Sequence, residues 1–209
     1  MSTLCCAACT CRRSAASIPS SPSAPSTRPP ATKRIELLKE ILPKARRVAI
    51  IANPQHPGEH RELAASRAAA EQLRVELIYL PARNRAELDT ALAAVAAGQP
   101  DAAVVFPDAL TLGQREALAR FFLQQRIPSA TGWAPFAESG HLVSFGPDLR
   151  VAYRRLAYFV DRIIKGASPA DLPIELPTTF EMVVNRRIAT ALNLVLPASL
   201  LLRADRVID

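Results

Sequence analysis

The chain predicts an α/β fold built on a doubly wound parallel sheet, and three observations carry that prediction. Helical and strand-like segments alternate from residue 33 to residue 166. The strand-like segments are short, continuous apolar runs, the pattern of strands buried on both faces. Pro, Gly, Asn and Asp separate the segments at the intervals a βαβ chain needs, and such units wind with right-handed crossovers.

The segments justify this in turn. In "KRIELLKEILP", Ile35, Leu38 and Ile41/Leu42 fall on one helical stripe, and Pro43 ends it. "RRVAIIANP" holds the apolar run 48–52, followed by the Ala-rich helix "GEHRELAASRAAAEQLR" and the strand "VELIYL" at 75–80. Helix "RAELDTALAAVAAG" and strand "DAAVVFPD" repeat the unit, and helix "TLGQREALARFFLQQR" with the short strand "IPSAT" repeats it again. A fifth strand is expected at 142–145. Asp148 then N-caps a helix in which Leu156, Phe159, Val160, Ile163 and Ile164 form a stripe expected to be buried, closed by Gly166. About five parallel strands complete this unit, so "PTTFEMVVN" reads as a surplus strand, with Asn185 capping a helix "RRIATALNL" behind it.

Composition narrows the function classes. With 49% apolar residues in 209, the chain can build a core, and no apolar run approaches the ~20 residues of a membrane span. The net charge of +7 is nearly all arginine, the only lysines being Lys33, Lys39, Lys44 and Lys165. These charges are spread beside Glu and Asp over helix surfaces instead of gathering on one face, so no nucleic-acid partner is expected. All four cysteines, Cys5, Cys6, Cys9 and Cys11, lie within seven residues, without the second ligand pair a zinc site needs or the spread of a disulfide framework. Residues 12–32 form a Ser/Pro/Ala tract too poor in apolar surface to offset chain entropy. Residues 1–32 are therefore expected to be a disordered tail, with structure starting near Lys33 and an α/β unit over 33–170.

Ligands of an open parallel sheet bind beyond the carboxyl ends of its strands. The loops there offer Asn53, Asp108, Trp133, Glu138, Ser144 and Asp148. Each has a plain structural alternative: Asp108 and Asp148 as helix caps, Trp133 as packing on the sheet rim. Nucleotide chemistry is not supported: the chain has no G-x-G-x-x-G after a strand and no G-x-x-x-x-G-K-[ST]. "HPGEH", His56 to His60, fits the H-x-x-E-H pattern of some zinc peptidases, but Pro57 and Gly58 break the helix such a site requires. His141 has no nucleophile to serve. No catalytic residue, metal or cofactor is expected from these patterns.

"KRIELLKEILPKARRVAIIANP", "KGASPADLPIELPTTFEMVVN" and "PASLLLRAD", with the spacing between them, resemble the ABC transporter substrate-binding proteins of the family that includes tryptophan- and tyrosine-binding-like members. The resemblance runs from about Lys33 to Asp209. It implies a type I periplasmic-binding-protein-like fold, with two α/β lobes, hinge strands and a ligand between the lobes. It also implies a binding protein and not an enzyme, an extracytoplasmic location, and a small-molecule solute and the membrane permease of an importer as partners. By the same resemblance Asn53 and Asp108 face the ligand, with Asp108 able to hold an ammonium group, and Ser144, Gly146 and Asp148 line the cleft.

On this reading residues 33–170 are lobe two, and 171–209 cross back to complete the sheet of lobe one. The late strand would then leave Phe180, Met182, Val184, Ile188 and Leu192 without a surface to pack on. In place of a secretion signal and a first lobe stand 32 residues of Cys, Ser, Pro, Ala and Arg. That is the composition of a GC-rich frame read out of register, so a misplaced start and first-lobe coding sequence upstream are expected. The alternative function is the ligand-sensing domain of a transcriptional regulator of the same two-lobed architecture. Residues 1–32 carry no helix-turn-helix pattern, which speaks against it.

Overall fold

The structure is a computed structural model that describes residues 30–209. The chain forms α1 (Pro30–Ile41), β1 (Arg47–Ala52), α2 (Glu59–Leu73), β2 (Glu76–Pro81), α3 (Arg85–Gly98), β3 (Ala102–Val105), α4 (Ala109–Gly113), α5 (Arg115–Gln124), β4 (Ser129–Thr131), α6 (Ala134–Glu138), β5 (Val143–Pro147), α7 (Leu149–Ile164), β6 (Phe180–Asn185), α8 (Arg186–Ala191), α9 (Ala198–Arg203) and β7 (Arg206–Ile208). The expected tail stops short of its predicted boundary. Pro30 opens α1, where its missing N–H costs nothing, and Ala31 is already buried. The cysteines and the rest of the expected disordered segment lie outside the described residues.

One mixed sheet of seven strands runs in the order β2-β1-β3-β4-β5-β6-β7. The first five strands are parallel, as their apolar runs predict. Ala49 to Ala52 are at most 1% exposed because helices cover both faces. On one face Ile35, Leu37, Leu38 and Ile41 of α1 pack with Leu63, Ala69 and Ala70 of α2 against Val48, Ile50 and Val104. On the other, Leu88 and Val95 of α3, Leu118 and Phe122 of α5 and Phe136 of α6 cover Ala49, Ile51, Ala103 and Val105. A buried histidine closes this second core. The Nε2 of His141 lies 3.2 Å from the Arg115 carbonyl, which can only accept, so Nδ1 accepts from the Ser129 hydroxyl at 2.8 Å. Burial lowers the His141 pKa to about 4, against a weaker upward pull from that carbonyl.

Two expectations reverse. The surplus strand does not wait for another sheet: β6 lies antiparallel to β5, from Val143 opposite Val184 to Pro147 opposite Phe180. Met182, Val183 and Val184 are 4%, 0% and 0% exposed, and Leu192 is buried too. Ile188 packs on the first core, and the Phe180 ring stacks on Phe145 at 6.0 Å. β7 then adds a parallel edge beside β6, where Asp205 accepts from the Met182 N–H at 2.8 Å. Residues 180–209 thus finish the sheet that 47–147 begin.

The segment left without a surface is α7. None of its residues is buried, and Leu156, Val160, Ile163 and Ile164, placed in a buried stripe by the sequence, are 55%, 47%, 42% and 79% exposed. The periodicity was that of a helix with one apolar face, but a stripe records that a face exists and not what lies against it.

Limited proteolysis should cut first within α7 and the 166–179 connection, while 180–209 stays with the core; early release of 180–209 from an intact α7 would contradict this arrangement. His141 gives a second expectation. A histidine whose folded pKa lies below its unfolded value contributes stability above the unfolded value, near 6.5, and that stability is lost as pH falls toward about 4. Between pH 7 and pH 5 the wild-type chain should lose about 2 kcal/mol more unfolding free energy than His141→Gln. Equal pH slopes in urea titrations of the two proteins would refute it.

Candidate functional site

The strand order turns at β1, which has β2 on one side and β3 on the other, so the chain after β1 and the chain after β3 leave the sheet in opposite senses. A crevice opens at such a point beyond the carboxyl ends of the strands. Asn53 follows β1 there, and Phe106, Pro107 and Asp108 follow β3. With His56 from the loop before α2 and Glu59 and Glu62 from its first turn they line a narrow pocket, too tight in this conformation for a water molecule.

Asn53 and Asp108, the first pair proposed from the sequence, meet directly. Asn53 Nδ2 donates to Asp108 Oδ2 at 2.8 Å, and Asn53 Oδ1 accepts from the Gln55 N–H at 3.0 Å. Asp108 is 5% exposed and has a second task as N-cap of α4. Its Oδ1 accepts from the Thr111 N–H at 2.7 Å, and the Thr111 hydroxyl accepts from the Asp108 N–H at 3.0 Å, a reciprocal capping box. A carboxylate has about four acceptor positions, so Asp108 keeps some capacity for a donor arriving from the crevice.

The sequence reading passed over the rest of the pocket. Glu59 is buried and accepts from the Tyr79 hydroxyl at 2.7 Å; burial, and then this carboxylate, push the Tyr79 pKa up to about 12. Glu62 accepts from Arg34 Nη1 at 2.7 Å, and Arg34, 2% exposed on α1, also donates through Nε to the Phe145 carbonyl at 3.0 Å. Three carboxylates, Glu59, Glu62 and Asp108, thus gather at the crevice, with Glu62 paired to the Arg34 guanidinium. In "HPGEHRELA" residues 59 and 62 stand three apart at a helix start and share a face, but that spacing does not tell which way the face points. His56 sits in the loop before α2, its Nδ1 accepting from Gly58 N–H at 3.3 Å, and His60 is exposed on α2, so the two do not share a helical face. Among the described residues no group of three or more His, Cys, Asp or Glu is placed to hold a metal ion.

Ser144, Gly146 and Asp148 do not join this pocket. Ser144 is buried in β5, its hydroxyl without a hydrogen-bond partner, beside Thr131 of β4, whose hydroxyl is equally unpaired. Gly146 has a packing reason: a Cβ there would stand 1.7 Å from the Gly132 carbonyl oxygen. Asp148 caps α7, accepting from the Arg150 N–H at 2.8 Å, and borders a separate groove along that helix. Trp133 packs at the rim of the second core, and Glu138 pairs with Arg206.

The chain thus forms a doubly wound lobe with its crevice at the β1/β3 switch, and it leaves the sheet as α7 and returns as β6. The family described as ABC transporter substrate binding protein matches residues 25–208, and the chain belongs to it. Its fold is similar to a conserved domain protein from Vibrio cholerae (23% identity, TM-score 0.78) over 85% of this chain and 60% of that one. It is similar as well to an ABC domain from Streptococcus pneumonia, solved in complex with L-Trp (22% identity, TM-score 0.79), over 86% and 62%. A ligand-free, open substrate-binding protein with adhesive properties from Clostridium difficile aligns over 84% and 59% at 21% identity and a TM-score of 0.61. The chain spans about three fifths of the length of these proteins. No curated protein matches it. Among the described residues no helix is long and apolar enough to cross a membrane.

Replacing Asp108 by Ala removes a helix cap and the partner of Asn53 together. The variant should lose about 1 to 2 kcal/mol of unfolding free energy, whereas Asp108→Asn, which can still cap α4, should lose well under half of that. Indistinguishable denaturation midpoints for Asp108→Ala and wild type would remove the cap from the site's construction.

Proposed function

We propose that this chain is the solute-binding component of an ABC importer and that its solute is a small cation or zwitterion, an amino acid or a close relative, held over the β1/β3 crevice. The observation that carries this reading is the acidic crevice, Glu59, Glu62 and Asp108 around Asn53, at the switch point of a lobe that belongs to a substrate-binding family. An ammonium group supplies the positive charge that buried carboxylates need, and Asn53 has an amide to orient the rest of the molecule. Asp148 stays within the proposal as the opposite margin of the cleft, reached by the far end of a longer solute, while Ser144 and Gly146, both buried, shape that margin from within the sheet. The chain works by binding and passes its solute to a membrane permease outside the cytoplasm.

The crevice admits no solute to its depth, so a ligand rests on its mouth and needs a second wall. In this proposal that wall is a first lobe ahead of residue 33, and the bare face of α7 stands where such a lobe would pack. Sites for small molecules enclose about 70 to 90% of the ligand surface. A single lobe offers roughly half of that, a loss of several kcal/mol at tenfold in affinity for each ~1.4 kcal/mol.

Amino acids titrated into the isotopically labelled 209-residue chain should move the backbone amide signals of residues 53–62 and 106–111, with affinity no tighter than about millimolar. A protein with the first lobe joined ahead of residue 33 should bind the same solute about a thousandfold more tightly. Asp108→Asn should abolish the shifts while leaving the fold intact, and His60→Ala should leave them unchanged. Shifts confined to other residues, or none with any cationic or zwitterionic amino acid, would defeat the assignment.

A further inference from the structure

Glu59, Glu62 and Asp108 line the crevice together, but they are not equally free to take a ligand. Each oxygen of Asp108 already has a donor: Oδ1 has the Thr111 N–H and hydroxyl, both at 2.7 Å, and Oδ2 has the Asn53 amide. Glu62 is paired with the Arg34 guanidinium. Glu59 differs from both. Its Oε1 accepts from the Tyr79 hydroxyl at 2.7 Å, whereas among the described residues no donor reaches Oε2 and no cation stands at ion-pair distance. Arg67, near enough to act on the Tyr79 hydroxyl, makes no ion pair with Glu59. Glu59 is nevertheless only 8% exposed, and a buried carboxylate whose one hydrogen-bond partner is neutral keeps its demand for a positive charge.

We propose that Glu59, positioned by Tyr79, is the seat for the solute's charged nitrogen, and that it takes a primary ammonium in preference to a quaternary one. The inference deepens the solute reading above and rests on it. Tyr79 stands on the edge strand β2 and packs against the first core, so its hydroxyl reaches Glu59 from a fixed place. A neutral donor orients the carboxylate without neutralising it. A primary ammonium then brings three N–H donors, enough for the open Oε2 of Glu59 and for the acceptor positions left on Asp108. Trimethylammonium has no N–H, so it would bury those acceptors unpaired, and it would need an aromatic cage in their place. Among the described residues that line the crevice Phe106 is the one aromatic, and it packs into the first core. The narrowness points the same way: where a water molecule does not fit, a nitrogen carrying three methyl groups meets the rim before it meets the carboxylates.

The contact could instead serve only to tie α2 to β2, and two substitutions separate the roles. Glu59→Gln keeps an oxygen for the Tyr79 hydroxyl and removes the charge, so a mere tie would survive it. Tyr79→Phe keeps the ring in its packing and removes the donor, which leaves the charge in place but no longer oriented.

The isotopically labelled 209-residue chain is titrated with L-alanine, L-leucine, L-phenylalanine and L-lysine, and with the derivative of each that is trimethylated at its α-nitrogen. An amino acid that moves the amide signals of residues 53–62 and 106–111 should bind at least about tenfold more tightly than its trimethyl derivative. Glu59→Gln should weaken that amino acid at least about tenfold and bring the two affinities together, and Tyr79→Phe should weaken it roughly three- to tenfold, both with an unchanged circular dichroism spectrum. A trimethyl derivative bound as tightly as its parent, or an affinity that either substitution leaves at the wild-type value, would overturn the inference while the solute reading stands. No shift at those residues with any of the four amino acids would defeat the solute reading and this inference with it.

Discussion

The Arg34 guanidinium is the point on which the lobe and its crevice both depend. Almost wholly buried, it ties α1 to β5 through the Phe145 carbonyl and to α2 through Glu62. A buried cation survives only when its donors are matched, so these two bonds fix three elements relative to one another. They also account for the glycines beside it. A Cβ on Gly132 would stand 2.6 Å from Arg34 Nη2 and 2.4 Å from Pro107 Cγ, and one on Gly146 would strike the Gly132 carbonyl oxygen. The backbone at the ends of β4 and β5 closes around the guanidinium because nothing larger than hydrogen occupies those two positions. Glu62, turned toward Arg34, is the same residue that lines the crevice. Fold and site therefore share one electrostatic joint, the Arg34–Glu62 pair.

The path of the chain after β5 follows from a second constraint. Five parallel strands wound in sequence end on a strand with one open edge, and an open edge of unpaired N–H and C=O groups is a liability. β6 fills it in the antiparallel sense. Residues 149–179 therefore form an excursion: α7, the Pro169–Asp171 turn and the extended 172–179 leave the lobe and come back to the same side of it. Asp148 at the departure and Thr179 at the return are held together, the Asp148 N–H donating to the Thr179 carbonyl at 3.1 Å. Two chain passages side by side at one end of a sheet make a natural hinge, and what the excursion carries, an amphipathic helix with its apolar face bare, is a surface made for something beyond this lobe. The lobe thus completes its crevice by itself and leaves the apolar face of α7 open.

The sequence disclosed the sheet well because its signals are local. Val48 to Ala52 and Ala102 to Val105 are uninterrupted apolar runs, and only a strand covered on both faces asks for that pattern. It disclosed the caps too, since Asp108, Asp148 and Asn185 act at short range on the next turn of chain. What it could not disclose was partnership over distance. The stripe at Leu156, Val160 and Ile163 looks the same whether the neighbour is the chain's own core or another molecule. In β6, the expectation that Phe180, Met182 and Val184 would lack a surface passed over Val183 between them. Met-Val-Val without a polar interruption is the mark of a strand inside a sheet, and it placed β6 next to β5, where its neighbours bury both faces.

The site was half legible for a related reason. Asn53 and Asp108 stand out because each is a polar residue directly after an apolar strand, and the switch of strand order brings those two loops together. Glu59 and Glu62 lie on an Ala-rich helix with charges all along it, and nothing in the sequence separates a carboxylate facing the crevice from one facing solvent. The difference is made by contacts from elsewhere: Tyr79 from β2 reaching Glu59, and Arg34 from α1 reaching Glu62, 20 and 28 residues away in the chain. A carboxylate held by such a contact keeps its position without a ligand. The crevice is accordingly preorganised, its orienting bonds already made, and a cationic group that reaches it meets fixed acceptors instead of having to gather them.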